Sequence, residues 1–402
     1  MREKILSFSK LTKDECIMLG FSACHGISSL FLDTFVISFL MHNAVNEFIS
    51  VSVYKLFFYF TIMLTFVLMT NWCKRGNIKF VFSTHLLVQM FFVIFIAICG
   101  NQAANWFLLL GVLYGIDDSL RSMASQQMVI DKIRAKRMVF YCGTSTAITN
   151  IIKIVVPVIL GALITITSFQ EVAWILIAMH MIEFYMLFIL SPINQRVQQC
   201  ADLAGFMKKS LKVPCMRKLF AAEAIRGFAF PLETLGVMYI VSVFHTDMNL
   251  GIWTTVFAIC AASATWLFGH LCTKRDFKWI VEMCSLLLMG AIASLVIDVN
   301  YFSIVLYTGA LTVCIALMDQ VLSVNVLNLA KTELVTQNDR AEYIASRQVT
   351  SFLGRWIGIV GMLYMGIFSG YALLPYFIII LAIARIIAAM MYVHIGKYIC
   401  NE

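Results

Sequence analysis

A chain of 402 residues that is 61% hydrophobic and only 13% charged is no ordinary soluble protein, since soluble domains carry about 25% charged residues. The net charge of +8 comes with no basic, aromatic-interleaved soluble segment, which excludes nucleic acid as a partner. Twelve cysteines with no CxxC spacing, nearly all in apolar stretches or beside cations, read as small hydrophobes rather than a disulfide framework.

A bilayer span needs about 20 apolar residues. The opening MREKILSFSKLTKDE is too polar for a signal peptide, and the first apolar run follows at 17–40 with Asp33 inside it. The second span, 48–70, holds Lys55 in its outer part, where snorkelling to the interface is the plain expectation. After 80–99, the fourth span at 105–130 carries Asp117, Asp118 and Arg121, and the Asp117–Arg121 spacing predicts a local ion pair. The fifth, 138–166, isolates Lys153 in the apolar run ITNIIKIVVPVILGAL, and the sixth, 171–191, contains His180 and Glu183. A long polar connection at 192–218 includes ADLAGFMKKSLK. It reads as a short helix lying at the membrane interface, ended by Pro214. The seventh span, 219–244, has Glu223 and Arg226 one turn apart and Glu233 deeper. Spans at 250–271, 277–298, 302–330, 344–368 and 372–395 complete the chain, with Asp319 in the tenth, Arg355 in the eleventh and Arg385 in the twelfth.

The connections alternate in charge. Those at 41–47, 100–104, 167–170, 245–249, 299–301 and 369–371 contain no Lys or Arg, whereas 24 of the 30 cations lie at the opposite ends and six lie within spans. The positive-inside rule then places both termini in the cytoplasm. The halves also repeat. Lys74–Arg75 and Lys274–Arg275 are 200 apart, as are Asp33 and Glu233; Asp118 precedes Asp319 by 201, and Lys153 precedes Arg355 by 202. Six helices plus six with like-placed charges mark a duplicated architecture with a site between the copies. It divides as 1–191, a linker at 192–218, and 219–402.

With these motifs in view, the chain resembles the major facilitator superfamily over its whole length. WCKRGNIKF and CTKRDFKWI resemble degenerate copies of that superfamily's cytoplasmic motif G-x-x-x-D-R-x-G-R-K. Lys74, Arg75 and Gly76 match the basic run of the first copy; Gly269, Lys274 and Arg275 match the glycine and basic run of the second. Cys73 and Thr273 stand in place of the motif's acid, and Met69 in place of its first glycine. The span-five motif survives as Pro157 and Gly161, and the span-four arginine as Arg121. AEYIASRQVTSFLGRWIGI is similar to bacterial facilitator-type permeases with E-Y-x-x-x-R-E and then G-R, with Gln348 replacing the second acid. The resemblance implies an all-α membrane protein of twelve helices in two pseudo-symmetric six-helix bundles, with the motif residues gating the loops. It also implies a bacterial cytoplasmic membrane and a monomer.

Ionisable groups inside spans mark substrate or ion routes by default. Asp33, Asp118, Arg121, Lys153, Glu233, Asp319 and Arg355 are therefore the expected substrate and proton route, with Lys153 and Arg355 facing the midplane cavity and Asp319 pairing with Arg355. No metal-ligand spacing, phosphate loop or nucleophile–base arrangement occurs, so no cofactor and no enzyme activity are expected. The expected function is alternating-access transport of a small molecule coupled to protons, with efflux of an amphipathic or drug-like compound foremost. Uptake of a small metabolite, or a transport-inactive sensor of the same fold, remain as alternatives.

Overall fold

The computed structural model describes residues 12–44, 46–74, 78–133, 135–191, 202–244, 246–272, 276–329, 340–369 and 373–400. Among these residues the chain is helical, with no strand. Span α1 runs through Lys13–Leu30, a π-turn at Phe31–Phe35, and Val36–Asn43. Then follow α2 (Glu47–Lys74), α3 (Ile78–Cys99), α4 (Phe107–Lys132), α5 (Ala135–Ile166) and α6 (Phe169–Ile189). A linker helix at Leu203–Ser210 precedes a broken seventh span, α7a (Pro214–Phe228) and α7b (Pro231–Phe244). The remainder are α8 (Asp247–Leu271), α9 (Phe277–Ile297), α10 (Tyr301–Leu329), α11 (Arg340–Ser369) and α12 (Leu374–Cys400). Eleven described stretches are long and apolar enough to cross a bilayer. The longest, Ile78–Ser125, holds two spans joined by a 3-10 turn at Gly100–Trp106, so there are twelve crossings.

Local chemistry sets the ends of the helices. Thr12 and Glu15 form a reciprocal capping box at the start of α1, at 3.3 and 2.8 Å. Ser168, Thr246 and Asp202 accept from backbone N–H groups at the starts of α6, α8 and the linker helix. Pro214 does not end the linker helix as expected from sequence. It sits at the first turn of α7a, where its missing N–H costs nothing, so the seventh span begins five residues earlier than its apolar pattern suggests.

Large apolar side chains such as Leu286, Phe188 and Ile297 face outward, as a lipid-facing surface requires. Between helices the close approaches are made at glycines. A Cβ at Gly111 or Gly115 of α4 would overlap carbonyl oxygens of Tyr54 and Phe58 on α2. Likewise Gly354 and Gly358 of α11 meet the Ala224 and Phe228 carbonyls of the seventh span. With little hydrophobic drive between helices in lipid, such backbone contact supplies much of the packing energy. Across the halves, α5 packs on α8 and α2 on α11.

Candidate functional site

The two spans that open each half are irregular at equivalent depths. In α1 the π-turn at Phe31–Phe35 carries Asp33, and the Val36 N–H reaches back five residues to the Phe31 carbonyl. In the seventh span Pro231 lacks the N–H that would bond Gly227, so the helix breaks at Ala229–Phe230 and Glu233 follows. The Leu32 carbonyl accepts from Tyr54 Oη, and the Leu232 carbonyl from Tyr307 Oη, both at 3.2 Å. Each irregular stretch thereby takes a side-chain hydroxyl from a neighbouring helix, and the Gly227 carbonyl left by Pro231 accepts from the Phe230 N–H at 2.9 Å.

A cavity of about 600 Å³ lies against the second of these breaks. It extends from Ile240 and Thr308 to Thr265 and Gln320, with most of its wall from the seventh span, α8 and α10. Its charged lining comprises Lys153 of α5, Arg226 and Glu233 of the seventh span, Asp319 of α10, Arg355 of α11 and Arg385 of α12. Thus Lys153, Glu233, Asp319 and Arg355 of the expected set come together, while Asp33, Asp118 and Arg121 are not among the lining residues.

Asp319 does not pair with Arg355 in this conformation. Its Oδ1 lies 2.7 Å from Arg385 and 3.6 Å from Arg226. The Arg226 guanidinium also lies 3.0 Å from Glu223, whose other oxygen lies 3.0 Å from Arg347 Nε of α11. Arg355 is held instead by aromatic faces: its Cζ is 4.0 Å from the Phe230 ring centre, 5.0 Å from Phe352 and 5.5 Å from Tyr59. Cation–π contact fixes the guanidinium without neutralising it. Its Nε is buried with no hydrogen-bond partner among the described residues.

Apart from Lys153, the deep charges of the N-terminal half are bound in separate pairs. Lys55 does not snorkel: it is 4% exposed and bonds the half-exposed Asp33 at 3.2 Å, beneath the rings of Tyr54, Phe58 and Tyr114. Asp117 pairs not with Arg121 but with His85 of α3, at 2.6 Å, and Arg121 takes Asp118 at 2.7 Å. His180 and Glu183 form a further, fully buried pair at 2.6 Å. Sequence spacing could not separate Asp117 from Asp118, because neighbouring helical residues differ by about 100° in direction and only the partner helix decides between them. Phe230, Tyr59, Arg226 and Arg385 also belong to the site, and of these only Arg385 carries a signal in the sequence, its deep placement in an apolar span.

The ends of the helices away from the basic connections close across the halves. Ser38 Oγ donates to Asp247 Oδ1 at 2.5 Å. Gly161 and Gly251 let α5 and α8 meet backbone to backbone, and the Phe48 ring rests on Gly366. At the basic end Asp14 takes Lys132 at 3.2 Å, and Lys79 donates to the Leu190 carbonyl. Of the expected gating residues, Lys74 ends α2 and Gly269 lies in α8, while Arg75, Gly76, Lys274 and Arg275 fall outside the described residues. No group of three or more His, Cys, Asp or Glu side chains able to hold a metal occurs among the described residues.

Twelve crossings in two halves, with a cavity walled by both, define a membrane transporter fold. The chain belongs to the Major Facilitator Superfamily, whose model matches residues 22–359. A bacterial homologue of the iron transporter ferroportin, solved inward-facing, superposes with a TM-score of 0.69 at 13% identity, over 96% of this chain and 100% of that one. A bacterial homologue of the human lysosomal transporter spinster, inward-facing and unoccupied, gives 0.69 at 13% over 98% of each chain. The Escherichia coli fucose:proton symporter gives 0.60 at 10%, over 96% of this chain and 98% of that one. None of the curated proteins matches the sequence.

Proposed function

We propose that the chain is a secondary active transporter of a bacterial cytoplasmic membrane, expelling a small amphipathic, drug-like compound in exchange for protons. The observation that carries this reading is the charged midplane cavity, walled from both halves and closed at its cation-poor end by Ser38–Asp247 and the Gly161–Gly251 contact. With both termini in the cytoplasm, that closed end is the external one, and the conformation is shut to the outside. The bundle 1–191 and the bundle from Pro214 onward rock against each other as bodies, tethered by the linker. The motif residues Lys74, Arg75, Gly76, Gly269, Lys274 and Arg275 gate the cytoplasmic side.

Coupling requires a group whose charge differs between the two states. Arginine stays charged throughout, so a carboxylate carries the proton. Asp319 is the first candidate because it is 39% exposed to the cavity yet held by Arg385 and Arg226. Protonation releases Arg385 and removes the weaker hold on Arg226, which stays paired with Glu223, so the attraction that draws α7a, α10 and α12 together is lost. Asp33 with Lys55, and Glu233, are the fallback carriers; Asp118 and Arg121 line the route in the N-terminal half. Metal cargo, named for the ferroportin homologue, is disfavoured by the lack of a ligand cluster among the described residues. A sugar-like metabolite with proton symport, as named for the fucose carrier, is the second reading; Glu233, Asp319 and Gln320 could bond hydroxyls.

A cysteine at Thr312, inside the cavity, tests alternating access without a known substrate. In oriented vesicles it is expected to react with an impermeant thiol reagent from either face. Once Ser38→Cys and Asp247→Cys are joined by a short bifunctional reagent, reaction should persist only from the face that labels Lys209→Cys. Reaction from the opposite face after cross-linking would overturn the reading.

A further inference from the structure

We infer that the cavity is built for an amphipathic organic anion; the inference rests on the cavity being the transport site. The charges lining it do not cancel. Lys153, Arg226, Arg355 and Arg385 contribute four positive charges, and Glu233 and Asp319 two negative, so four minus two leaves an excess of two. Adding the adjoining Glu223 and Arg347 changes nothing, since they are one of each sign.

The excess is localised. Arg226 and Arg385 are engaged by Glu223 and Asp319. Lys153 is exposed and makes no hydrogen bond or ion pair among the described residues. Arg355 touches three rings, none of which carries a compensating charge, and its buried Nε has no partner. Glu233 lies within electrostatic reach of Arg355 but closer in effect to Arg385. A cation at membrane depth with no counter-charge in contact is costly; it persists where it faces a wet cavity, and there it marks the place where an anionic ligand binds. The aromatic contacts hold the guanidinium in place, so an arriving carboxylate, sulfonate or phosphate meets a pre-set donor fork rather than a mobile side chain.

The rest of the wall specifies the remainder of the ligand. Phe257, Ala258, Leu311 and Ile315 form an apolar surface beside the cations. At about 600 Å³ the space is that of a drug-sized pocket, far larger than an inorganic ion needs. An acidic head group at Arg355 and Lys153 with an apolar body against α8 and α10 satisfies both parts of the lining.

The test compares two thiol reagents of similar size and opposite charge on detergent-solubilised Thr312→Cys protein. These are the sulfonatoethyl and trimethylammonioethyl methanethiosulfonates. Rates are taken in excess of the parent protein and normalised to Ser242→Cys, an exposed position outside the cavity. The anionic reagent should be favoured by about tenfold, because a cleft with an excess of one sign concentrates the opposite ion. The preference should vanish in Lys153→Met/Arg355→Met and remain in Lys278→Met, whose cation pairs with Glu282 on the surface. Naphthalene-2-sulfonate should slow the reaction, while 2-naphthol and inorganic sulfate should not. An equal or reversed preference overturns the inference of an anion while leaving the transport cavity standing. Protection by sulfate alone overturns the amphipathic part. Failure of both reagents to reach Thr312→Cys removes the cavity as a site, and both readings with it.

Discussion

Glu223→Leu is expected to abolish the accumulation of folded protein. The Glu223 side chain is wholly buried, and it is the shared counter-charge of Arg226 on its own helix and Arg347 on α11. Removing one member of a buried ion network costs about 3–5 kcal/mol, because the remaining charges stay in a medium that cannot solvate them. That is a large part of the roughly 5–15 kcal/mol that holds a typical protein folded. The loss also falls where α7a and α11 approach most closely, at Gly227 and Gly354, so little relaxation is available there. Size-exclusion profiles and thermal melts in detergent measure the effect. Adding Arg347→Met should recover part of the lost protein by withdrawing one of the stranded cations. A Glu223→Leu protein with the parent's yield and melting temperature would show that the network contributes nothing to the fold.

Asp319→Asn is expected to leave a folded protein whose conformational balance no longer responds to pH. Asp319 faces Arg385 at 2.7 Å and Arg226 at 3.6 Å, with Glu233 beside them in electrostatic reach. Asparagine keeps the shape and one acceptor oxygen but can neither gain nor lose the proton. Arg385, only 5% exposed, loses its direct counter-charge, whereas Asp319 itself is open to the cavity. The asparagine variant should therefore melt lower than Arg385→Met, in which the carboxylate left behind can be hydrated. The readout for coupling is the rate at which Thr312→Cys is labelled from each face between pH 5 and 8. In the parent the two faces should exchange dominance, and a tenfold shift corresponds to about 1.4 kcal/mol between states. In Asp319→Asn the rates should be flat. If the variant keeps the parent's pH response, the proton belongs on Asp33 or Glu233.

The crossings were legible in the sequence because a bilayer imposes a length on every span and cannot tolerate an unpaired backbone. Duplication made the second half readable from the first, and it pointed to Lys153 and Arg355 together. The partners of the charges were not legible. Lys55 lies towards one end of its span, as a snorkelling lysine would, and its partner Asp33 stands in the π-turn of another helix, which no local spacing announces. Asp319 and Arg385 are 66 residues apart on helices whose relative rotation no periodicity records. The aromatic setting of Arg355 draws Tyr59 from the other half of the chain, and one phenylalanine among 32 carries no mark of such a role.

The near-constant offset between the halves has a consequence for how such a chain can change over generations. From Asp33/Glu233 to Lys153/Arg355 the copies differ in net length by only two residues, 202 minus 200. A helix turns about 100° per residue, so one inserted residue swings every later side chain of that helix away from its partners. Substitutions leave the direction intact, which is why the motif letters could erode while the spacing stayed. The π-turn at Phe31–Phe35 is the exception that relieves this constraint. By closing its ring over five residues instead of four, it accommodates an extra residue locally, and the helix beyond it keeps its heading.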